Sequence, residues 1–235
     1  MGALGAPAER EGTVAVKVVL LDIDGTLLLS NDAHAQTWVE AFAAFGYSIA
    51  YERVRPMIGM GGDRVIPALV PGLTDQEGLG KQVTERRKEL VLTRYAPTLR
   101  PAPGARALLQ HMRQAGLTLA VATSATGEEL QALLKAAGVA DLTDQETTSD
   151  DAERAKPDPD IIVAALRKVK VSPDEAIMLG DTPYDVQAAR KAGVRAIGVR
   201  CGGWDDAQLL AEGAVAVYAD PADLLAHYDS SPLHA

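Results

Sequence analysis

Two aspartates separated by one residue, Asp22 and Asp24, follow the apolar run Val16-Lys17-Val18-Val19-Leu20-Leu21. Two carboxylates side by side and away from water repel, so something must compensate them: a proton, a metal ion or a cationic side chain. Further along the chain stand a hydroxyl pair, Thr123-Ser124, one lysine, Lys156, and two more acids, Asp181 and Asp185. Acids clustered without histidine or cysteine suit a hard cation such as Mg2+, which takes oxygen ligands and keeps some of its waters. A metal and a lysine together neutralise a set that otherwise could not stay ionised. A small hydroxyl and the amides of a tight strand-to-helix turn suit phosphate oxygens. One carboxylate can then attack phosphorus while its neighbour, two residues on, shuttles a proton. Taken singly, each residue has a plainer role. An aspartate after a strand commonly forms a turn or caps a helix, Thr123 or Ser124 can cap the next helix, and a lysine before a proline can simply be solvated. Those roles explain poorly why all of them fall at successive strand ends.

The elements that must hold these residues are legible as well. The run before Asp22 reads as a strand buried on both faces, as in a parallel sheet, and Gly25-Thr26 breaks it. Helices are predicted over 104–115, 127–137, 158–169 and 183–192. They alternate with strands over Leu117–Ala122, 145–148, Ala176–Leu179, Arg195–Val199 and Ala214–Tyr218, and Gly116, Gly138 and Gly193 sit where helices should stop. Repeated strand–helix units imply right-handed crossovers and an α/β fold with a doubly wound parallel sheet. In such sheets the site lies beyond the carboxyl ends of the strands. Asp22-Ile23-Asp24 ends the first strand, Thr123-Ser124 the second and Gly180-Asp181 a later one, with Asp185 close behind. Lys156 is expected to open the helix of Lys156-Pro157-Asp158-Pro159-Asp160.

The stretch from Asn31 to Pro97 carries no convincing strand. Helical patterns run over Ala33–Phe45, with Trp38, Phe42 and Phe45 on one stripe, over Asp63–Leu69 and over Gln76–Arg94, and a stiff linker follows at Ala96–Gly104. The expected division is an α/β core of residues 1–30 and 99–235, its first 13 residues a loose tail, and an all-helical insert of residues 31–98 lying over the site as a cap.

Composition sets the bounds. The chain has 235 residues, 47% of them hydrophobic, enough for a large core. A net charge of −9 argues against nucleic acid or an anionic membrane as partner. Cys201 is the only cysteine, which excludes an intrachain disulfide and fits a reducing compartment. The opening MGALGAPAEREG lacks the apolar region of a signal peptide, and no apolar run reaches transmembrane length. A cytoplasmic location is the expectation.

The segments DIDGT, VATS, AKPDPDI and GDTPYD, in that order, resemble the four motifs of the haloacid dehalogenase-like superfamily, with a match of pattern over about 17–200. The resemblance implies that Asp22 is a nucleophile forming an aspartyl-phosphate and Asp24 the general acid/base. It implies that Thr123 and the amide of Ser124 hold the phosphoryl group and that Lys156 steadies Asp22. Asp181 would bind Mg2+ with the Asp22 carboxylate and the Asp24 main-chain carbonyl, and Asp185 would be a second acid on the metal side. The helical block resembles the cap of phosphoglycolate phosphatases, phosphosugar phosphatases and β-phosphoglucomutase. Asp24 argues against dehalogenase and phosphonatase chemistry, where that position differs, and P-type ATPases need membrane spans.

A phosphatase acting on a small phosphorylated metabolite, of the phosphoglycolate or sugar phosphate type, is therefore expected, with a phosphosugar mutase as the alternative. The stretch Arg55 to Arg64 looks like the cap's specificity loop. Where the mutase pattern places an arginine three residues after this loop's glycine, Gly62 stands here with Arg64 two further on, which weakens the mutase reading. His34, ten residues after Asp24, matches a histidine of helical-cap members. Arg55, Arg64, Gly61, Gly62 and His34 are the expected cap residues toward substrate; the cap itself is balanced, with eight Lys/Arg and eight Asp/Glu over 31–98. A module of another class, a phospho-accepting receiver, also clusters aspartates, a hydroxyl and a lysine, but has its acceptor on a middle strand and no helical insertion. A catalytically idle regulatory homologue is the remaining alternative, and the intact acids and Lys156 speak against it.

Overall fold

The computed structural model describes residues 14–234, so the loose tail expected over 1–13 lies outside the described residues. The chain begins with β1 (Val18–Leu21) and then a turn at Gly25-Thr26, where Leu27 and Leu28 both donate to Ile23 O. A two-residue strand, β2 (Leu28–Leu29), leads into α1 (Asn31–Ala44), α2 (Tyr51–Val54), α3 (Gly62–Leu69) and α4 (Gly78–Leu90). A wider helical turn over Val91–Tyr95 extends α4, and β3 (Arg100–Pro101) brings the chain back. The alternation then runs α5 (Ala105–Gln114), β4 (Thr118–Ala122), α6 (Gly127–Ala137), β5 (Gln145–Thr147), α7 (Asp160–Val169), β6 (Ala176–Gly180), α8 (Pro183–Lys191), β7 (Arg195–Val199), α9 (Asp206–Ala211), β8 (Ala216–Tyr218) and α10 (Pro221–Ala226).

Six strands form one sheet in the order β5-β4-β1-β6-β7-β8, and every pairing is parallel. β1 is central, with Leu21 in register with Val121 on one side and Leu179 on the other. Its alternation explains the unbroken apolar run. Val19 and Leu21 enter a core shared with α5, α6 and α10, while Val18 and Leu20 enter the opposite core beneath α7 and α8. Crossovers leave β1 in both directions, so the crevice at its carboxyl end is a topological switch point.

Between β2 and β3 the helices bury a core of their own, including Trp38, Phe42, Val54, Ile66, Val83 and Leu90. Trp38 and Phe42 share the expected stripe, and Phe45 is only partly buried against it. Two features depart from the sequence reading. The linkers into and out of this insert pair with each other as an antiparallel ribbon, Leu28 opposite Pro101 and Leu29 opposite Arg100. Lys156 does not open a helix: α7 begins at Asp160, because a residue before proline is driven out of the helical region and both Pro157 and Pro159 intervene.

Candidate active site

The carboxyl ends of β1, β4 and β6 place Asp22, Thr123 and Asp181 side by side. Lys156 reaches the same point, with its Nζ 2.7 Å from Asp22 Oδ1 and 2.7 Å from Asp185 Oδ1. Asp185 also closes a capping box at the start of α8, its Oδ2 accepting from Thr182 N at 3.0 Å and from Thr182 Oγ1 at 2.7 Å. Asp181 accepts from Thr26 Oγ1 at 3.1 Å and from Asn31 Nδ2 at 2.7 Å. Close packing of this corner demands glycine at position 25. Its φ is +79°, and a Cβ there would lie 2.2 Å from Asp181 Oδ2.

All of these groups are buried, and the electrostatics follow from that. Burial pushes Asp22 up to about 7 against the pull of Lys156, with Asp185 and Asp24 adding to the rise. Burial likewise raises Asp181 well above the usual carboxylate range, and Asp185 and Asp22 push the same way. Burial works against the charge on Lys156, yet Asp185 and Asp22 hold it above the ordinary lysine value. Carboxylate oxygens of Asp22, Asp181 and Asp185 lie within 4.8 Å of one another, three acids against one lysine. An all-oxygen, buried, net-negative set is what a hard divalent cation satisfies, so these residues fit Mg2+. The Asp24 side chain is not in that cluster.

Asp24 turns instead toward the insert. Its Oδ1 lies 2.5 Å from Ser30 Oγ and 2.7 Å from His34 Nε2. His34 Nδ1 in turn lies 2.8 Å from Arg87 Nη2. A guanidinium can only donate, so Nδ1 accepts and Nε2 carries the proton given to Asp24. Burial opposes ionisation of Asp24, but His34, Ser30 and Arg87 together bring it below the usual carboxylate value. Arg87 also pairs with Glu129, which is only 2% exposed, and lies over the Trp38 ring.

Arg87 escaped sequence reasoning. A signal was present: with Val83 and Leu90 it occupies positions i, i+4 and i+7 of α4, a cation on the helix's buried stripe.

Asp22, Asp24, His34, Thr123, Ser124, Gly61, Gly62 and Arg87 face one small cavity of about 50 Å³ between sheet edge and insert. Thr123 Oγ1 accepts from Ala125 N at 3.1 Å, which leaves its own O–H free to donate into that space. Ser124 Oγ donates to Gly59 O of the insert at 3.3 Å. Gly61 passes so close to Ala155 that a Cβ there would lie 2.5 Å from the alanine methyl. Lys156, Asp181 and Asp185 do not line the cavity, and Lys156 touches it only through Asp22. Arg55 and Arg64 do not line it. Arg55 pairs with Asp32 at 2.6 Å and donates to Gly202 O at 2.5 Å, and Arg64 pairs with Asp158 of the core. Met60 borders the cavity, while Met57 packs against the insert's core.

Haloacid dehalogenase-like hydrolases match residues 19–199, and the chain belongs to that family. Within it, the chain is 33% identical to the phosphoglycolate phosphatase of Rhodospirillum rubrum, covering 88% of this chain and 89% of that protein. It is 30% identical to the validoxylamine A 7'-phosphate phosphatase of Streptomyces hygroscopicus subsp. limoneus, covering 85% of this chain and 92% of the relative. A solved hydrolase from Pseudomonas syringae superposes with a TM-score of 0.84 at 32% identity, over 91% of this chain and 98% of that one. The chain also matches 18% of the length of the much longer protein SUPPRESSOR OF QUENCHING 1 of Arabidopsis thaliana, at 32% identity over 79% of this chain. Among the described residues no helix is long and apolar enough to cross a membrane.

Proposed function

We infer that this phosphatase-type hydrolase removes the phosphoryl group from a small phosphorylated metabolite, with Mg2+ held by Asp22, Asp181 and Asp185 and with Asp22 as nucleophile. One observation carries the reading: Asp22, ion-paired to Lys156, and Asp24, hydrogen-bonded to Ser30 and His34, face the same cavity. Kinship with phosphoglycolate and validoxylamine 7'-phosphate phosphatases supports it. Bound Mg2+ supplies the positive charge that lets a phosphate approach the carboxylates.

The chain's own groups divide the remaining work. Asp22 attacks phosphorus, forming an O–P bond as the ester P–O bond breaks, and Asp24, ionised in the free enzyme, relays a proton from the substrate's monoanionic phosphate to the leaving oxygen. The Asp24 carboxylate so formed is favoured by hydrogen bonds from Ser30 and His34, and it next takes a proton from water attacking the phosphoryl group on Asp22. Inorganic phosphate leaves and Asp22 is regenerated. Thr123 O–H and the amide of Ser124 hold phosphoryl oxygens, and Lys156 keeps Asp22 ionised. Arg87 is a positioning residue that fixes the His34 tautomer.

Residues 31–98 act as a cap that closes on the core and excludes water during transfer. Arg55 and Arg64 serve that closure through Gly202 and Asp158 rather than touching the substrate. A reducing, cytoplasmic setting belongs to the same reading, on the strength of the single cysteine.

The test is hydrolysis of an aryl phosphate by the purified protein with Mg2+, with excess chelator, and by Asp22→Asn. Activity is expected only in the first case. Full activity in chelator, or in Asp22→Asn, would overturn the assignment.

A further inference from the structure

Beside the catalytic cavity lies a second chamber of about 290 Å³, and the two share Trp38, Gly61, Gly62, Arg87, Thr123 and Ser124 in their walls. A group esterified to a phosphate seated on Asp22 has this space open to it, because Gly61 and Gly62 put no side chain in the passage. The chamber is nearly six times the volume of the catalytic cavity, room for a group well beyond the size of the phosphate itself.

The chamber's charge is lopsided. Asp63, Asp75, Glu129, Asp150 and Glu153 line it against only two cations, Arg87 and Lys88. Both cations are committed. Arg87 is bound to Glu129 and His34, and Lys88 Nζ lies 2.5 Å from Glu128, outside the chamber. The Asp75 carboxylate is met by the side-chain amide of Gln76 at 2.9 Å, Asp63 accepts from Ala155 N at 3.2 Å, and Asp150 accepts from Gly127 N at 3.1 Å. The nearest cation to Asp63 is Arg64, its Nε 3.7 Å away, and that guanidinium is engaged with Asp158. Among the described residues, both cations of the chamber are already paired, whereas Asp75, Asp150 and Glu153 form no ion pair, Asp150 feeling Lys88 only at longer range. Thr84, Ser149 and Gln76 add hydroxyl and amide groups to the same wall.

We propose that the group released from the phosphate is a hydroxyl-rich moiety, larger than the phosphate itself, that is uncharged or carries an amine, and that substrates bearing a second anion are selected against. The proposal rests on the phosphatase assignment above and narrows it: carboxylate-bearing and doubly phosphorylated compounds become poor substrates. Carboxylates accept hydrogen bonds from hydroxyls and pair with ammonium groups. Facing another carboxylate or phosphate in a partly enclosed space, they repel it.

The experiment compares kcat/KM at low salt for glucosamine 6-phosphate, glucose 6-phosphate, 6-phosphogluconate and fructose 1,6-bisphosphate, each normalised to an aryl phosphate. The amine-bearing and neutral sugars are expected to exceed the two anionic compounds by about tenfold or more, with the gap shrinking as salt screens the chamber. In Asp75→Lys and Glu153→Lys the ratio of amine-bearing to carboxylate-bearing substrate should fall by about two- to fivefold per site, the scale of an exposed ion pair. Aryl phosphate turnover with equal or better use of the anionic compounds overturns this proposal alone. So does a ratio that both charge reversals leave unmoved. Absence of aryl phosphate turnover in Mg2+ overturns the phosphatase assignment and this proposal with it.

Discussion

Replacing Arg87 with methionine separates the two jobs that its position gives it. The guanidinium neutralises Glu129, which is 2% exposed, and it donates to His34 Nδ1 at 2.8 Å, which sets the proton on Nε2 that Asp24 accepts. Removing one partner of a buried pair costs about 3–5 kcal/mol. Glu129 keeps hydrogen bonds from Thr126 N at 3.2 Å and Thr126 Oγ1 at 3.0 Å, so the lower end, about 3 kcal/mol, is expected. The Asp24–His34 pair loses its anchor as well. Residues that orient a reacting group from behind are worth about 10–100-fold by analogy with the outer shell of metal sites, so kcat should fall by that factor. Denaturant unfolding and steady-state kinetics on an aryl phosphate measure the two losses. The double variant Arg87→Met, Glu129→Gln removes the unpaired buried charge; it should regain most of the stability and little of the activity. If the double variant recovers both together, Arg87 only holds the fold, and the orientation of His34 by Arg87 plays no part in turnover.

Three further outcomes follow from the geometry. Lys156→Ala leaves Asp22 and Asp185 uncompensated, so it should impair aryl phosphate and larger substrates by the same factor in parallel kcat/KM measurements. Gly25→Ala places a Cβ 2.2 Å from Asp181 Oδ2 at a φ of +79°, and should lower both the melting temperature and its rise on adding Mg2+, read by thermal shift. Arg106 makes paired contacts to Asp141 at 2.7 Å, and its hydrogen bond holds Asp141 down to about 2. A lowered carboxylate stabilises above its unfolded pKa near 4 and loses that contribution as pH falls through about 2. Arg106→Gln should therefore be less stable than the parent near neutral pH, and the difference should vanish toward pH 2 in denaturant titrations.

The core of the site was readable because strand ends are readable. Val18-Val19-Leu20-Leu21, short, β-branched at its start and broken by Gly25, reads as a strand buried on both faces, and a parallel sheet aligns the residues that follow its strands along one edge. Asp22, Thr123, Asp181 and Asp185 meet there through sequence-local geometry repeated three times. Lys156 arrives by a proline-rich turn, so its convergence was legible but its helical setting was not. The insert was harder for a physical reason. Which way Arg55 and Arg64 point depends on how the helices dock on the core, and docking delivers them to Gly202 and Asp158. The role of Arg87 depends on His34 and Glu129, 53 and 42 residues away in sequence, and no local pattern encodes that meeting. The ribbon of β2 and β3 has two residues a side, too short to leave an alternation.

That ribbon has a consequence for how such a protein can change. Leu28–Leu29 and Arg100–Pro101 carry the chain out of the core and back at adjacent points, and Ala102 N donates to Leu27 O at 2.9 Å just below them. Seen from the sheet, everything between is one long loop whose ends are already tied. Loop-closure entropy grows by only about 0.6 kcal/mol for each doubling of length, so the sheet is nearly indifferent to what the loop contains. A different set of helices, or a short turn, grafted between Leu29 and Arg100 would leave the register of β1 with β4 and β6 intact. Asp22, Thr123 and Asp181 would stay behind with the strands, whereas Ser30, Asn31, His34 and Arg87 would leave with the loop, so any replacement must supply new partners for Asp24 and Asp181.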